Sequence, residues 1–550
     1  MPCMMPARRR DALAVGAGTF VTLALTAVLL WPALGRGELL YRDFVTVPDP
    51  SVTARTLGVD GSAPRAVPLD LVTALLDPVI PSGVQQQVML LATLVLAGTG
   101  VTLLLRRRGP AVTAVGAALA TWSPYAVERL LVGQPPTLLA VSCLGWLVVI
   151  ARDVRPRRRY LGLTVVAALP AALTPFGGAL AASAAVVAGV LVRRAARREV
   201  LTVLAVGIAW CAPWLVAAAV GRTEVGQEAG AAAFAVRAPG LAGILDVLGG
   251  GGVWSQAATP ASRGGVLPST ATVVVLVLAA IGVVGLRRLR GLAAAALLAP
   301  LAVALLAGTG PGLAVSGAAQ VVPGLGLFRD THRLVGVSAI ALAVLAPIGL
   351  DAVAARLRHA SVSPGSLSSL GSPTGSGGPA GRVVSGSLAV VGLAVAVLTV
   401  PDAPRLLHAA YQPVSYPAGW ARVVDTVGER HALLLPWQPM RQVGWARSVP
   451  FLDTAPLALR GEVTRSRSLL VERDGRPIVV GPTEPPTAAG WQAGRLDPVA
   501  LRAAGIEVVL EWRGTPGVLP ATHDGLQLVL DTPDFRVWQV PASPGASGAG

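Results

Sequence analysis

Residues Gly83–Arg108 read GVQQQVMLLATLVLAGTGVTLLLRRR. From Gly83 to Leu105 there is no ionisable group, and three arginines then close the run. At 1.5 Å per residue, an uninterrupted apolar helix of this length matches the hydrocarbon thickness of a bilayer. The same pattern recurs along the chain: apolar runs divided by short arginine clusters. Hydrophobic residues make up 53% of the 550, charged residues only 13%. Soluble chains carry about 25% charge. The pattern predicts a polytopic α-helical membrane protein, because helices satisfy their own backbone groups in lipid.

Taken in order, the predicted spans are Ala12–Ala33, Gly83–Leu105, Ala111–Trp122 and Thr137–Ile150, then a helical hairpin within Leu161–Val192 turning at Thr174–Gly178. Val200–Val220, Thr270–Leu286, Leu292–Ala307, Leu334–Ala355 and Val383–Val400 follow. That makes about eleven transmembrane helices. The arginine clusters agree on one side, which puts the N-terminus in the cytoplasm and the C-terminus outside. The positive segment Arg8–Arg10 before the first run could open a signal peptide, but the run is long and lacks a small-residue cleavage site, so a retained helix is expected.

The membrane domain is expected to occupy residues 1–400. Residues 34–82 form its first exoplasmic loop, in which the apolar piece Leu69–Ile80 lies along the interface. Residues 356–382 are Ser/Gly/Pro-rich and are expected to be a disordered cytoplasmic linker. Gly249–Gly252 suggests a flexible loop. Residues 401–541 differ: tryptophan is dense, acids return and no run can span. Short apolar strands at His431–Trp437, Ser468–Glu472, Pro477–Val480 and Glu507–Trp512 predict a small exoplasmic α/β domain. Leu526–Asp531 and Phe535–Val540 read as a hairpin about Thr532–Asp534. Helices are expected over Pro417–Glu429 and from Asp497–Pro498 to Gly505. A disordered tail, 542–550, completes the chain.

The net charge of +16 is spread over the ends of apolar runs rather than on one face, so nucleic acid is not an expected partner. All 45 basic residues are arginine. The cysteines Cys3, Cys143 and Cys211 make no metal or redox spacing. Phosphate-loop, dinucleotide, HExxH and GxSxG motifs are absent, which argues against nucleotide-driven chemistry.

Ionisable residues near the outer ends of spans are the candidates for chemistry. In Gly37–Pro50, GELLYRDFVTVPDP, Arg42 and Asp43 follow the first span closely. A carboxylate at a dry mouth suits a general base; the competing reading is a loop ion pair or turn cap. Asp49, between two prolines, reads more readily as a turn residue. In Trp122–Gln134, WSPYAVERLLVGQ, Glu128 and Arg129 sit on a short helix, where Arg129 could fork onto a lipid phosphate or pair internally. In Gly324–Arg333, GLGLFRDTHR, Arg329, Asp330 and Arg333 precede a span. Arg329 and Arg333 share a face if helical, and either could bind phosphate or anchor the helix end. His332 reads as a hydrogen-bonded structural residue. Trp437 and Trp445 flank Arg441 and offer sugar-stacking faces, or core packing.

At these three stretches the chain resembles polytopic GT-C type glycosyltransferases, in particular the membrane region of cell-wall arabinofuranosyltransferases. The likeness covers about Arg8–Val400. It implies an outer-face enzyme that moves a sugar from a polyprenyl-phosphate donor to an envelope glycan or lipid acceptor. It implies Asp43 as base, with Asp49 as a second acid, and membrane lipid as surroundings. The chain departs from the family in spacing its two acids along the loop and in being much shorter. No cofactor is required by this chemistry, and no ligand spacing supports a divalent metal. Two other classes are set beside it: a non-catalytic assembly or glycan-binding protein of the same fold, and a transporter or flippase. Spans nearly free of charge and the lack of an internal repeat argue against transport.

Overall fold

The computed structural model describes residues 7–61, 66–220, 229–320, 326, 329–360, 379–473 and 475–542. The first helix, α1 (Ala7–Leu30), runs into a short turn ending at Leu34. Two short helices, α2 (Ala54–Leu57) and α3 (Leu69–Leu76), lie in the loop that follows. α4 (Ser82–Leu105) ends in the turn Arg106–Arg108. α5 (Pro110–Thr121), α6 (Pro124–Leu131) and α7 (Pro135–Asp153) follow with short breaks. α8 (Arg157–Ala172) and α9 (Pro175–Val187) make the expected hairpin, and Thr174 caps α9 by accepting the Gly177 N–H. The remaining helices before the sheet are α10 (Arg197–Val220), α11 (Ala229–Phe234), α12 (Gly240–Leu248), α13 (Val266–Gly285), α14 (Arg290–Ala307), α15 (Gly310–Gln320), α16 (His332–Ala360), α17 (Pro379–Leu398), α18 (Ala403–Ala410) and α19 (Gly419–Val427).

Among the described residues, eight helices are long and apolar enough to cross a membrane. A ninth is reached if Gly386–Leu398 and Ala403–Ala410, bent by 49° at their junction, count as one span. The two other expected spans are shorter: α5 has 12 residues and α8 has 16. α5 is buried on every face from Val112 to Thr121. Its alanine, glycine, threonine and valine side chains are small enough for α1, α4, α16 and α17 to close around it. Most of the linker expected over 356–382 falls on 361–378, outside the described residues; its flanks belong to α16 and α17. The tail 543–550 also lies outside them.

Glycines set the tightest helix contacts. A Cβ on Gly349 of α16 would strike the Leu278 carbonyl of α13, and one on Gly282 would strike the Leu345 carbonyl. Between α4 and α7, a Cβ on Gly145 would stand 3.0 Å from the Gly100 carbonyl carbon. The arginine clusters gather at one end of the bundle. Arg106 pairs with Asp153 at 3.0 Å, Arg108 with Asp351 at 3.9 Å and Arg193 with Glu199 at 3.1 Å.

The α/β domain stands at the other end. β1 (Ala432–Leu435), β4 (Val463–Thr464), β7 (Val508–Trp512), β8 (Gln527–Asp531) and β9 (Phe535–Gln539) form one sheet in the order β4-β1-β7-β9-β8. β1 is parallel to both β4 and β7; β9 is antiparallel to β7 and β8. Two small hairpins flank the sheet: β2 (Met440–Arg441) with β3 (Phe451–Leu452), and β5 (Leu469–Arg473) with β6 (Arg476–Val480). The second packs Val471 and Val480 on Ala233 and Phe234 of α11. Arg473 donates there to the carbonyls of Ala232 (2.6 Å) and Ala235 (2.9 Å).

The first loop is built into this domain. Leu40 and Val47 belong to the same core as Trp420, Leu434, Phe451 and Trp512. Glu38 and Val414 exchange backbone hydrogen bonds of 3.0 and 2.9 Å. The Ser51 N–H donates to Leu457 O at 2.9 Å, and the Thr53 hydroxyl to Pro456 O at 3.1 Å.

Candidate functional site

Helix α6 begins where Trp122-Ser123-Pro124 breaks the chain. Ser123 accepts the Ala126 N–H and Pro124 supplies a first-turn residue that needs no donor. All of α6 is buried. Glu128 and Arg129 therefore enter the interior as neighbours, and burial without partners would be costly for both.

Arg129 is fully buried and forks onto Asp330: Nη1 to Oδ2 at 2.6 Å and Nη2 to Oδ1 at 2.9 Å. Nη1 also donates to Gln134 Oε1 at 2.8 Å, and Nη2 lies 2.7 Å from His332 Nδ1. Guanidinium is only a donor, so Nδ1 accepts and the ring proton sits on Nε2. Nε2 then donates to Gly251 O at 3.1 Å. Glu128 Oε2 accepts the Val253 N–H at 2.9 Å and stands 3.6 Å from His332 Nε2. Its Oε1 has no hydrogen-bond partner among the described residues. Tyr125 packs its ring 5.3 Å from His332 and donates its hydroxyl to Arg333 O at 3.1 Å.

The electrostatics follow from burial and charge. Burial pushes the Glu128 carboxyl up to about 8; Asp246 adds to this, while Arg263, the Val253 amide and Arg129 oppose it. Burial alone would also raise Asp330, but Arg129, with Arg333, outweighs it and holds that carboxyl well below the usual range. Asp246 is in turn held by Arg263 at 2.5 Å. Arg263 also donates to Thr272 Oγ1 (3.0 Å) and to Thr399 O (3.1 Å) at the α17–α18 break.

The other predicted residues lie outside this knot, some beside it and some in the α/β domain. Arg329 precedes α16 rather than lying on it, so it does not share a helix face with Arg333 as expected; its guanidinium rests 4.2 Å from the Phe234 ring. Arg333 lies 5.4 Å from the Phe176 ring, with Nε 3.5 Å from Asp330 Oδ2. Phe328 lies outside the described residues. Arg42 donates to Ser255 Oγ at 3.4 Å and Ala257 O at 3.2 Å. Asp43 is exposed rather than at the dry mouth expected for it; Asp49 is exposed too and has φ 52, as a proline-flanked turn aspartate can adopt. The turn after α6 abuts the first loop: a Cβ on Gly133 would be 2.9 Å from Asp43 N. Trp437 is buried, 4.7 Å from Trp491. Trp445 is half-buried, 5.1 Å from Tyr416 and 6.5 Å from Trp512.

The structure thus joins Arg129 and Asp330 directly, links Glu128 to them only through His332, and sets Arg333 at their edge. His332 and Gln134 complete the network. The glycine run is a further correction. Gly250–Gly252 is buried, with φ 96 at Gly250 and 86 at Gly252, and it brings carbonyls to His332 rather than forming a loose loop. Four consecutive glycines beside a buried histidine are a signal for close backbone approach as well as for freedom.

By fold the chain is a polytopic helical protein with a small α/β domain at one end. No family model matches it, and no curated protein does either.

Proposed function

We propose that the chain crosses the cell membrane about eleven times, with α5 and α8 among the crossings. The arginine-rich end faces the cytoplasm and the α/β domain lies outside. On that reading the protein is an outer-face glycosyltransferase. It moves a sugar from a polyprenyl-phosphate donor to an envelope glycan or lipid acceptor.

The observation that supports this most is convergence. Arg42–Asp43, the charged pair Glu128–Arg129 of α6 and the segment Arg329–Arg333 all gather at the domain-bearing end of an otherwise charge-poor bundle. Ionisable groups near apolar spans call for a functional explanation. Asp43 takes a proton from the acceptor hydroxyl, the oxygen attacks the anomeric carbon, and the lipid phosphate leaves with the bonding pair. Arg329 and Arg333 hold that phosphate. Arg129, already forked onto Asp330, braces them instead.

The test is transfer from a labelled polyprenyl-phosphate sugar in membranes carrying Asp43→Asn or Asp43→Ala. A loss of about 100-fold or more is expected for a general base. Undiminished transfer ends the role of Asp43. A second reading is a non-catalytic assembly or glycan-binding protein of the same architecture. It is favoured by both terminal nitrogens of Arg129 being taken up by Asp330, Gln134 and His332. Absence of transfer by the unaltered protein, with retained glycan binding, would select it.

A further inference from the structure

Arg42 lies in the left-handed region, with φ 50. A side chain there costs about 1–2 kcal/mol, so its surroundings must hold it. Three neighbours do. β3 clasps its main chain: the Arg42 N–H donates to Pro450 O at 2.9 Å, and Arg42 O accepts the Leu452 N–H at 2.7 Å. The end of α6 presses from another side, where a Cβ on Gly133 would lie 2.8 Å from Arg42 Cβ. Tyr41, one residue earlier, donates its hydroxyl to Leu131 O at 3.0 Å. The side chain of Arg42 reaches the segment Ser255–Ala257.

The clasp depends on something firmer than β3 itself. A ladder of two residues per strand has no stability of its own. Its anchor is a buried ion pair. Arg441 Nε and Nη2 donate to Asp453 Oδ2 at 2.9 and 2.6 Å, and Nη1 donates to Pro436 O at 2.7 Å. Asp453 Oδ1 accepts the Ala455 N–H at 3.0 Å. Both side chains are essentially inaccessible, at 0% and 1%. The guanidinium also lies 5.8 Å from the Trp512 ring of β7, which ties the hairpin to the central sheet. Asp453 directly follows Leu452, the residue whose amide holds Arg42.

We propose that Arg441 and Asp453 are positioning residues for the Arg42–Asp43 turn. The α/β domain is then a structural half of the first-loop site rather than a detachable module: its β2–β3 hairpin fixes where Asp43 stands. The consequence for sugar transfer rests on the role given to Asp43 above; the positioning does not.

The experiment is hydrogen exchange by mass spectrometry on the full chain in detergent, read over residues 39–47 and over β7, beside the transfer assay. In Asp453→Asn, exchange over 39–47 is expected to rise about tenfold or more while β7 stays protected. Transfer falls with it. Leu452→Pro gives an independent route, because it deletes the amide that donates to Arg42 O; should Asp453→Asn also expose β7, this variant decides. Unchanged exchange over 39–47 in Asp453→Asn, or in Leu452→Pro, with β7 protected, overturns the proposal. Faster exchange with undiminished transfer upholds the positioning and removes Asp43 from the chemistry, so the two readings fail separately.

Discussion

Replacing Asp330 with alanine is the sharpest test of what Arg129 does. Arg129 is 0% exposed and Asp330 5%. The change removes two charge-assisted hydrogen bonds, of 2.6 and 2.9 Å, and leaves the guanidinium with Gln134 and His332. A buried charge stripped of its counter-ion costs about 3–5 kcal/mol. Removing both charges, in Arg129→Met with Asp330→Leu, leaves no uncompensated ion in that pair; Arg333 loses the same carboxylate in both variants, so its cost cancels in the comparison. What remains is the acceptor of Gln134 and the Nδ1 of His332 without their donor, about 1 kcal/mol each, at the low end of the roughly 1–3 kcal/mol range for an unsatisfied buried acceptor. The double variant should therefore be more stable than Asp330→Ala by roughly 1–3 kcal/mol. Unfolding in mixed micelles of mild detergent and dodecyl sulfate, followed by tryptophan fluorescence, measures both. If Asp330→Ala alone stays within about 1 kcal/mol of the parent, the brace is refuted. Arg129 would then have water or a phosphate within reach, and its place as a lipid ligand would be restored.

Other expectations follow from single contacts. Gly133→Ala introduces a Cβ at φ 81, 2.8 Å from Arg42 Cβ, and should cost about 1–3 kcal/mol while speeding amide exchange over 39–47; unaltered exchange would show that the loop is not pressed there. Gly349→Leu should drive α16 off α13 and lower the thermal midpoint in detergent, with Gly291→Leu, which meets open space, as the harmless control. Glu128 is raised in the fold, so the folded protein keeps a proton that the unfolded chain releases. Its stability contribution therefore falls as pH rises from about 4.5 towards about 8. Glu128→Gln should flatten that slope in a thermal series across this range, and equal slopes would contradict the burial argument.

Much of the helical layout is legible in the chain because lipid imposes a simple rule. Gly83–Leu105 was bounded by proline and arginine, and α4 spans Ser82–Leu105. The turn at Thr174–Gly178 is legible from its proline and two glycines; the capping role of Thr174 comes from the structure. In the α/β domain, short β-branched and leucine runs between turn residues located β1, β5, β6, β7, β8 and β9. Long-range pairing was not legible. Arg129 and Asp330 are 201 residues apart, and nothing local to either marks the other as its partner. The same holds for the first loop. Its apolar residues Leu40 and Val47 have no periodicity, since a domain more than 350 residues later supplies their surroundings. Trp437 and Trp445 read more readily as core than as sugar platforms, although indole serves both; their packing against Trp491 and Trp512 is decided by the fold of the whole domain.

The docking of the first loop also sets an order of assembly. Thr53 finds Pro456 across 403 residues. At roughly 5–20 residues per second, a ribosome takes on the order of 20–80 s to cover that distance. Through that interval the nascent loop has Leu40 and Val47 uncovered and lacks the Pro450 and Leu452 groups that hold the Arg42 main chain. The first segment made is among the last to be finished. A chain that stopped after α17 would keep its helices but leave this loop permanently open, giving cellular quality control a hydrophobic mark by which incomplete molecules can be told from complete ones.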